Sequence, residues 1–219
     1  MRENNKKITK KKVVKINFGS SYDIWPGWIN IDNSLRHIII TKIPFLPTLL
    51  YKIGILKEGM FRAHQEGQFK KVVYGDARKR LKFKKESVDV IYSAHMLEHL
   101  YFVEAMKFLK ECHRILKKDG LIRIVVPNFE TEIKKYTDSI QKNKNEKPAQ
   151  TFCNLLYASS RSSQQHGHHW MYDQYSLSLF LKKAGFSDVK VVSFMNGECP
   201  DIEKNETRDG LFVEAKKEF

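Results

Sequence analysis

The stretch KVVKINFGSSYDIWPGWINID, residues 12 to 32, contains an apolar strand, a turn of small residues, a loop and a second strand that ends on a carboxylate. β-branched and aromatic residues before Gly19 suit a buried strand, and Gly19 with Ser20 and Ser21 lets the backbone approach a ligand. An acid after the second strand of a doubly wound sheet, here Asp32, can accept hydrogen bonds from both hydroxyls of a ribose. The stretch therefore predicts the first half of an α/β nucleotide site, although only Gly19 represents the usual glycine-rich pattern.

Charge and cysteine usage narrow the class of protein. A chain of 219 residues that is 42% hydrophobic is long enough for one substantial core. The formal net charge of +14 favours anionic partners such as nucleic acid, phosphorylated or uronic-acid substrates, or a membrane surface, although scattered lysines can also simply solvate a surface. Cys112, Cys153 and Cys199 lie far apart, which argues against a zinc site or a disulfide framework and predicts a reduced, cytoplasmic environment.

Two segments near the N-terminus are unusual. Residues 1–12, MRENNKKITKKK, predict a mobile basic arm, since no apolar run follows the charges as in a signal peptide or anchor. Residues 35–57 are apolar, but Lys42, Pro44 and Pro47 interrupt them well short of the roughly 20 apolar residues of a spanning helix. We expect an insertion that packs on the domain, with contact to an anionic membrane or coverage of a substrate as the alternatives.

The remaining pattern alternates strands with helices. Strands are predicted at 71–74, 87–93, 121–126, 189–194 and 210–215, helices at 97–118, 131–140 and 176–184, and loops at 59–68, 141–150 and 159–167. Asp119-Gly120 is expected to end the long helix, with Gly120 in the left-handed conformation. The order predicts a Rossmann-like α/β fold, doubly wound and mostly parallel, with an antiparallel edge strand. We assign one domain to 13–219, with insertions at about 35–70 and 128–167.

Two histidines are candidates for a general base. His95 follows the fourth strand and His168 lies on a loop before the last helix, and an imidazole titrates near neutral pH. The alternative for His95 is a cap on the helix that begins at Leu97, and His99 and Glu98 are ranked behind both histidines. Asp76, after the third strand, can hold the exocyclic amine of an adenine.

A metal site and a sugar-stacking site are weighed beside these candidates. His166, His168, His169 and Asp173 suggest a metal, but adjacent histidines on a loop rarely converge on one ion, so no metal is expected. Trp170 and Tyr172 either stack on a sugar face or pack in the core.

Nine segments of the chain follow, in order and spacing, the motifs of a known family: Gly19-Ser20-Ser21, Pro26-Gly27-Trp28-Ile29-Asn30-Ile31-Asp32, Gly75-Asp76-Ala77, Ser93-Ala94-His95-Met96-Leu97-Glu98-His99-Leu100, Arg114 to Gly120, Arg123 to Pro127, His168 to Asp173, Ala184-Gly185-Phe186 and Leu211 to Ala215. They resemble the motifs of class I S-adenosylmethionine-dependent methyltransferases, in particular the type-11-related group. The resemblance implies a seven-stranded sheet, with S-adenosylmethionine bound at the carboxyl ends of the first strands.

The resemblance also implies roles for single residues. Gly19 and Ser21 would lie along the methionine moiety, Asp32 on the ribose, Asp76 and Ala77 at the adenine, and Ser93 to His95 between cofactor and acceptor. Two positions depart from the family pattern: Ser21 stands where many relatives have glycine, and Asn17 where many have an acid.

The favoured function is O-methylation of a small molecule or carbohydrate, such as a surface polysaccharide or lipid-linked precursor. The carbohydrate part rests on family association alone. An RNA methyltransferase is favoured by the charge, but the Ser93-Ala94-His95 turn lacks the Asn/Asp-Pro-Pro-aromatic motif of amino-group methylators. None of the three cysteines lies where the nucleophile of a pyrimidine C5 methyltransferase is expected, after the fourth or fifth strand, since Cys112 lies within a predicted helix. A binding domain without turnover is the third alternative, motivated by Ser21 and Asn17. We expect a cytoplasmic protein, with peripheral membrane contact through 35–57 left open.

Overall fold

The computed structural model describes residues 13–142, 144–157 and 167–218, so the predicted arm at 1–12 and most of the predicted loop at 159–167 lie outside it. The seven strands are β1 Lys15–Phe18, β2 Ile29–Asp32, β3 Val72–Tyr74, β4 Val88–Ala94, β5 Leu116–Val126, β6 Ser187–Val192 and β7 Leu211–Lys216. The helices are α1 Leu35–Thr41, α2 Leu46–Lys52, α3 Glu58–Gln65, α4 Phe102–Ile115, α5 Phe129–Lys142, α6 Lys147–Tyr157, α7 Gln174–Lys183 and α8 Ile202–Asn205.

All seven strands form one sheet in the order β3-β2-β1-β4-β5-β7-β6. The first five of these pair in parallel, and β7 runs antiparallel to both β5 and β6. The predicted Rossmann-like, mostly parallel sheet of seven strands with one antiparallel member is thus confirmed. The antiparallel strand is next to the edge, and β6 is outermost. The carboxyl ends of the parallel strands meet at one edge of the sheet, where ligands bind in doubly wound folds.

The two faces of the sheet are covered differently. Side chains alternate between faces along each strand, so Ile91 packs with α4 and α7 while Tyr92 faces the other way. No helix lies between β1 and β2. Instead, the loop that joins them brings Trp25 onto Tyr92, with ring centroids 4.1 Å apart, and Trp28 packs edge-on against Trp25. Buried aromatic rings therefore cover this face of the sheet.

Buried amides hold the loop between β1 and β2. Asn17 Nδ2 donates to the Asp23 carbonyl at 2.9 Å and to Asn30 Oδ1 at 3.1 Å. The same Asn30 oxygen accepts from Trp25 N, and Asn30 Nδ2 donates to the carbonyls of Trp25 and Trp28. Asn17 donates where an acid could only accept, so its departure from the family pattern has a structural reason.

A buried ion cluster fixes the segment between β6 and β7. Arg123 is fully buried and forms a bidentate pair with Glu206, at 2.8 and 2.7 Å, and a third bond to Glu214 at 2.9 Å. Its guanidinium also donates to the carbonyls of Ser193 and Asn196. Since these carboxylates accept donors from within the fold, the segment, which contains only the four-residue helix α8, is held against the sheet.

The end of α4 differs from the prediction. The helix stops at Ile115 instead of Lys118, because Leu116 already pairs with Val88 in the sheet. Asp119, with φ +61°, takes the left-handed conformation expected of Gly120. A Cβ on Gly120 would lie 2.8 Å from the Lys117 carbonyl, so the glycine is needed for space.

Two predicted loops are wrong. Residues 59–68 contain most of α3 and the first residue of a 3₁₀ turn, Gln68–Lys71, and residues 141–150 contain the end of α5 and the start of α6. Both segments are polar, so their sequence resembles that of a loop, but aromatic contacts stabilise the helices. His64 packs on Phe69 with centroids 4.6 Å apart, and Tyr136 stacks on Phe152 at 4.9 Å.

The insertion between β2 and β3 is helical. It contains α1, α2 and α3, and it packs on the domain through a small apolar cluster that includes Phe69 and Val72. Among the residues that the structure describes, no helix is long and apolar enough to cross a membrane.

Candidate active site

Gly19 begins the turn after β1, between the ends of β2 and β4. The backbone N–H groups of Gly19 and Ser20 both donate to the carbonyl of Ile31, at 2.8 and 3.1 Å, which closes the turn over β2. Gly19 has φ +78°, and a Cβ there would lie 2.7 Å from Met96 Cβ. Met96 is therefore a close neighbour that requires glycine at this position.

Asp32 lies at the carboxyl end of β2 and holds the same turn. Its Oδ2 accepts from Ser21 N at 2.8 Å, and its Oδ1 accepts from both the N–H and the hydroxyl of Ser34. A carboxylate offers about four acceptor sites, so about one remains for a ligand. Asp32 thus keeps its predicted place beside the Gly19 turn, with room for one of the two ribose hydroxyls.

Two buried hydroxyls face this edge without partners. Ser93 near the end of β4 pairs with Phe18 of β1, and its Oγ has no hydrogen-bond partner within the described residues. The same holds for the Oγ of Ser20, which is 2% exposed. An unpaired buried polar atom is costly, so both hydroxyls suit contact with a bound ligand. Ser20 was not singled out by the sequence, since Ser21 beside it fits the glycine position of the family pattern.

The predicted adenine site at Asp76 is partly engaged by a neighbour. Arg78 donates to both carboxylate oxygens of Asp76, at 2.9 and 3.0 Å. This hydrogen-bonded guanidinium lowers the pKa of Asp76, which keeps the carboxylate charged. Ala77 is buried and borders a groove with basic walls.

Four ionisable side chains meet just past β4. Glu98, on the 3₁₀ turn Leu97–His99, is fully buried, and neither of its oxygens has a hydrogen-bond partner within the described residues. His95 Nδ1 lies 3.3 Å from Glu98 Oε1, within ion-pair distance but without hydrogen-bond geometry. The rings of His99 and His168 pack edge to face with centroids 4.9 Å apart. We call His95, Glu98, His99 and His168 the histidine cluster.

Backbone hydrogen bonds bring the late loop to this cluster. The N–H groups of His169 and Trp170 both donate to the Glu98 carbonyl, at 2.7 and 3.2 Å. Phe129 N donates to the Tyr172 carbonyl at 3.0 Å, which ties the same loop to the segment after β5. His168 is therefore held beside residues about 70 positions earlier in the chain.

Each ring nitrogen of His95 lies beside an oxygen atom of another residue. Its backbone has φ +50°, and its Nε2 lies 2.9 Å from the Asp209 carbonyl. Because a carbonyl can only accept, Nε2 carries a proton and Nδ1 faces Glu98. This geometry suits a positioning role better than that of a free base. The side chain of His95 forms no cap on the turn at Leu97.

His168 has the properties of a neutral base. Burial lowers its pKa, as do His99 and His95 to a smaller extent, while Glu98 and the Leu155 carbonyl act in the opposite direction. Its Nδ1 is buried and has no hydrogen-bond partner within the described residues. The imidazole therefore keeps an unused lone pair, the group that a general base or a metal ligand needs.

The other residues of the loop have separate tasks. Asp173 accepts from Ser176 N at 2.6 Å and caps α7, so it does not join His168, and His166 lies outside the described residues. Tyr172 is 1% exposed and belongs to the core, whereas Trp170 is 44% exposed and packs on Phe102. Of the two candidates for sugar stacking, Trp170 alone remains on the surface.

Comparisons with known proteins bear on the domain and on the fold. The family model described as "Methyltransferase domain", of the type-11 group, matches residues 50–124, which include β3, β4, α4 and most of β5. No curated protein matches the chain in sequence.

Solved structures share the fold at low identity. A SAM-dependent methyltransferase from Archaeoglobus fulgidus is 19% identical with a TM-score of 0.51, over 95% of this chain and 87% of that one. The CurJ carbon methyltransferase is 10% identical with a TM-score of 0.52, over 96% of this chain and 50% of that one. The matched domain implies S-adenosylmethionine as methyl donor. The match to a methyltransferase domain supports an enzyme that transfers methyl groups, and together with the strand order it is consistent with a class I methyltransferase of the type-11 group.

Proposed function

We propose that this enzyme methylates a hydroxyl group of a small-molecule or carbohydrate acceptor. The observation that carries the proposal is the histidine cluster at the end of β4, where neither the buried Nδ1 of His168 nor the carboxylate of Glu98 has a hydrogen-bond partner in the part of the chain that the structure describes. A hydroxyl nucleophile must lose its proton to a base during methyl transfer. An amine or a soft carbanion does not depend in this way on a base that acts during the transfer. A group of proton acceptors beside the cofactor edge therefore fits an oxygen acceptor best.

The residues at the strand ends fit S-adenosylmethionine. Asp32 would accept a ribose hydroxyl at its remaining site. Ser20 and Ser93, whose buried hydroxyls have no partner among the described residues, would contact the polar groups of the cofactor. When bound, the cofactor supplies an electrophilic methyl group. The chain contributes alignment, because a transfer of this kind mainly needs the acceptor oxygen held in line.

His168 is the residue that we propose as general base, with His95 orienting Glu98. The lowered pKa of His168 keeps it neutral near pH 7 and able to take a proton. A positioned base of this kind typically contributes about 10²- to 10⁴-fold in rate. His95, whose Nε2 donates to the Asp209 carbonyl, would hold in place the part of the histidine cluster that faces the acceptor.

An aromatic rim beside the cluster supports a sugar acceptor. Tyr101 stacks on His169 with centroids 4.0 Å apart, and both Tyr101 and Trp170 are exposed. Exposed aromatic rings combine an apolar face with a polar edge, which suits the C–H face and hydroxyls of a sugar. Incubation with labelled S-adenosylmethionine and a panel of sugars, uronic acids and nucleosides tests this: transfer to a hydroxyl of one sugar class supports it, and transfer only to amines overturns it.

An RNA acceptor is the second candidate, because a groove of about 460 Å³ beside Ala77 has basic walls. Arg80 and Lys107 line it together with Arg78, which is paired with Asp76. Such a groove would bind phosphates in a salt-dependent manner. Methylation of RNA in the same assay, weakened by Arg80→Ala, is the result that would favour this candidate over a sugar.

We also propose that the segment 35–57 contacts an anionic membrane. Large apolar side chains on it are exposed, Phe45 by 69% and Ile53 by 58%, and Lys42, Lys52 and Lys57 lie among them on the surface. Apolar residues that enter the headgroup region, flanked by basic residues, are typical of peripheral membrane attachment. Such a location would suit a lipid-linked acceptor.

A further inference from the structure

We propose that Glu98, His99 and His168 form a binding site for a divalent transition-metal cation. Each of the three offers one ligand atom, and these atoms all lie within 4.8 Å of one another. The site joins the 3₁₀ turn after β4 to the loop before α7. The sequence suggested His166, His168, His169 and Asp173, and of these only His168 belongs to the present set, together with Glu98 and His99.

The carboxylate of Glu98 is the strongest evidence. It is completely buried, and both oxygens lack a hydrogen-bond partner within the described residues. Burying a carboxylate without partners is costly, so buried charges are normally paired or bind metals. His95 Nδ1 approaches only one oxygen, Oε1, at 3.3 Å. Among the described residues no donor reaches the other oxygen, and a cation would compensate its charge.

The two histidines are arranged as metal ligands usually are. His99 Nδ1 lies 3.2 Å from the Gly167 carbonyl and so donates its proton there, which leaves Nε2 with a free lone pair. The Leu155 carbonyl accepts a hydrogen bond from the His168 ring, and Nδ1 of that ring is buried, with no partner among the residues described. A histidine that binds a metal commonly donates its other N–H to a backbone carbonyl, which fixes its tautomer and orientation.

The donor set indicates the class of ion. Two imidazole nitrogens and one carboxylate oxygen suit Zn²⁺, Mn²⁺, Fe²⁺ or Co²⁺, whereas Mg²⁺ and Ca²⁺ prefer oxygen ligands throughout. Three protein ligands leave at least one position open for another oxygen. We infer that this position takes the acceptor's hydroxyl and lowers its pKa, and that the released proton passes to water. The role of the ion therefore rests on the proposed O-methylation, but the binding of the ion does not. In the metal-loaded enzyme His168 would be a ligand instead of the base.

Binding is tested on tag-free, full-length protein that has been stripped with EDTA. Calorimetric titration with Zn²⁺ and Co²⁺, and the visible absorption of Co²⁺, should show one ion per chain. Glu98→Gln and His168→Ala should each lower the affinity by more than the roughly 10- to 100-fold lost when only an orienting neighbour is removed. His169→Ala is the matched control and should bind the ions like the wild type. His169 lies in the same loop as His168, but its ring stacks on Tyr101.

Several results would overturn the inference. One is a folded wild-type protein that binds neither ion, and another is unchanged binding in folded Glu98→Gln. Circular dichroism establishes folding, and His99→Gln replaces any variant that unfolds. Methyl transfer to a sugar hydroxyl that persists after EDTA treatment leaves the proposed function in place and contradicts the catalytic role of the ion. Metal binding without any methyl transfer supports the site and removes the proposed function.

Discussion

The carbonyl of Glu98 accepts the N–H of His169 at 2.7 Å, and this bond joins the late loop to the end of β4. Trp170 N donates to the same oxygen, so the backbone of one residue anchors a loop that begins about 70 positions later. As a result His168 is placed beside the buried carboxylate of the same glutamate. The backbone of Glu98 thus assembles the cluster to which its side chain belongs.

The first prediction concerns His168. His168→Ala should reduce turnover by about 10²- to 10⁴-fold, because it removes the proton acceptor, while the affinity for S-adenosylmethionine stays nearly constant. Initial rates with the acceptor found by screening, together with calorimetric binding of the cofactor, provide the measurement. His169→Ala is the control and should retain most of the activity. If His168→Ala stays active and His95→Ala does not, the base is His95.

The second prediction concerns the buried ion cluster. Arg123→Met should lower the free energy of unfolding by about 3 to 5 kcal/mol, because it leaves Glu206 and Glu214 buried without their cation. Urea unfolding followed by circular dichroism measures the change. Arg62→Ala removes an exposed pair with Glu58 and should cost less than about 1 kcal/mol. Equal effects of the two substitutions would contradict the structural role given to Arg123.

The third prediction concerns the pH dependence of stability. Burial lowers the pKa of His37, His64 and His168 below the ordinary value of 6.5, so the unfolded chain binds more protons than the folded one below that pH. Stability contributed by these histidines is complete above pH 6.5 and declines as the pH falls below it.

Urea unfolding at about pH 7.5 and about pH 5.5 measures the decline. His64→Gln should reduce it, because the neutral His64 bonds to His37 and Thr41, at 3.2 and 2.9 Å. Asp23 changes the stability with pH in the opposite direction, because burial raises its pKa. Its contribution is the same in the variant and in the wild type, so it cancels when the two are compared. A variant with the same pH dependence as the wild type would be evidence against the buried histidines.

The fourth prediction concerns the segment 35–57. The protein should float with vesicles that contain anionic lipid at low salt and release from them as salt rises, since each basic residue near the surface adds roughly 1 kcal/mol. Phe45→Ser with Ile53→Ser should abolish flotation, because the two side chains supply exposed apolar area. Ile140→Ser, on exposed α5, is the control. Protein that remains with the soluble fraction identifies the segment as a packing insertion only.

Sequence reasoning predicted the arrangement at the ends of β1 and β2 more completely than the histidine cluster. Gly19 and Asp32 are near each other in the chain, and they lie at the carboxyl ends of the adjacent strands β1 and β2. Their proximity therefore follows from the alternation of strands and loops. Glu98 and His168 meet through backbone hydrogen bonds of a long loop, which leave no periodic signal. Helix α3 was missed for a related reason, because its polar sequence is stabilised by packing of His64 on Phe69.

Calorimetric titration with S-adenosylmethionine tests the central claim, that this chain is a methyltransferase whose cofactor lies at the ends of β1, β2 and β4. We expect saturable binding of one cofactor per chain. Asp32→Ala should weaken it by about 1 to 3 kcal/mol, because buried hydrogen-bonding groups lose a partner. Thermal unfolding in parallel controls for the bonds that Asp32 makes to Ser21 and Ser34, and Asp138→Ala on exposed α5 should bind like the wild type. Absence of binding by the folded wild-type protein, or equal affinity of the folded Asp32→Ala variant, would contradict the account.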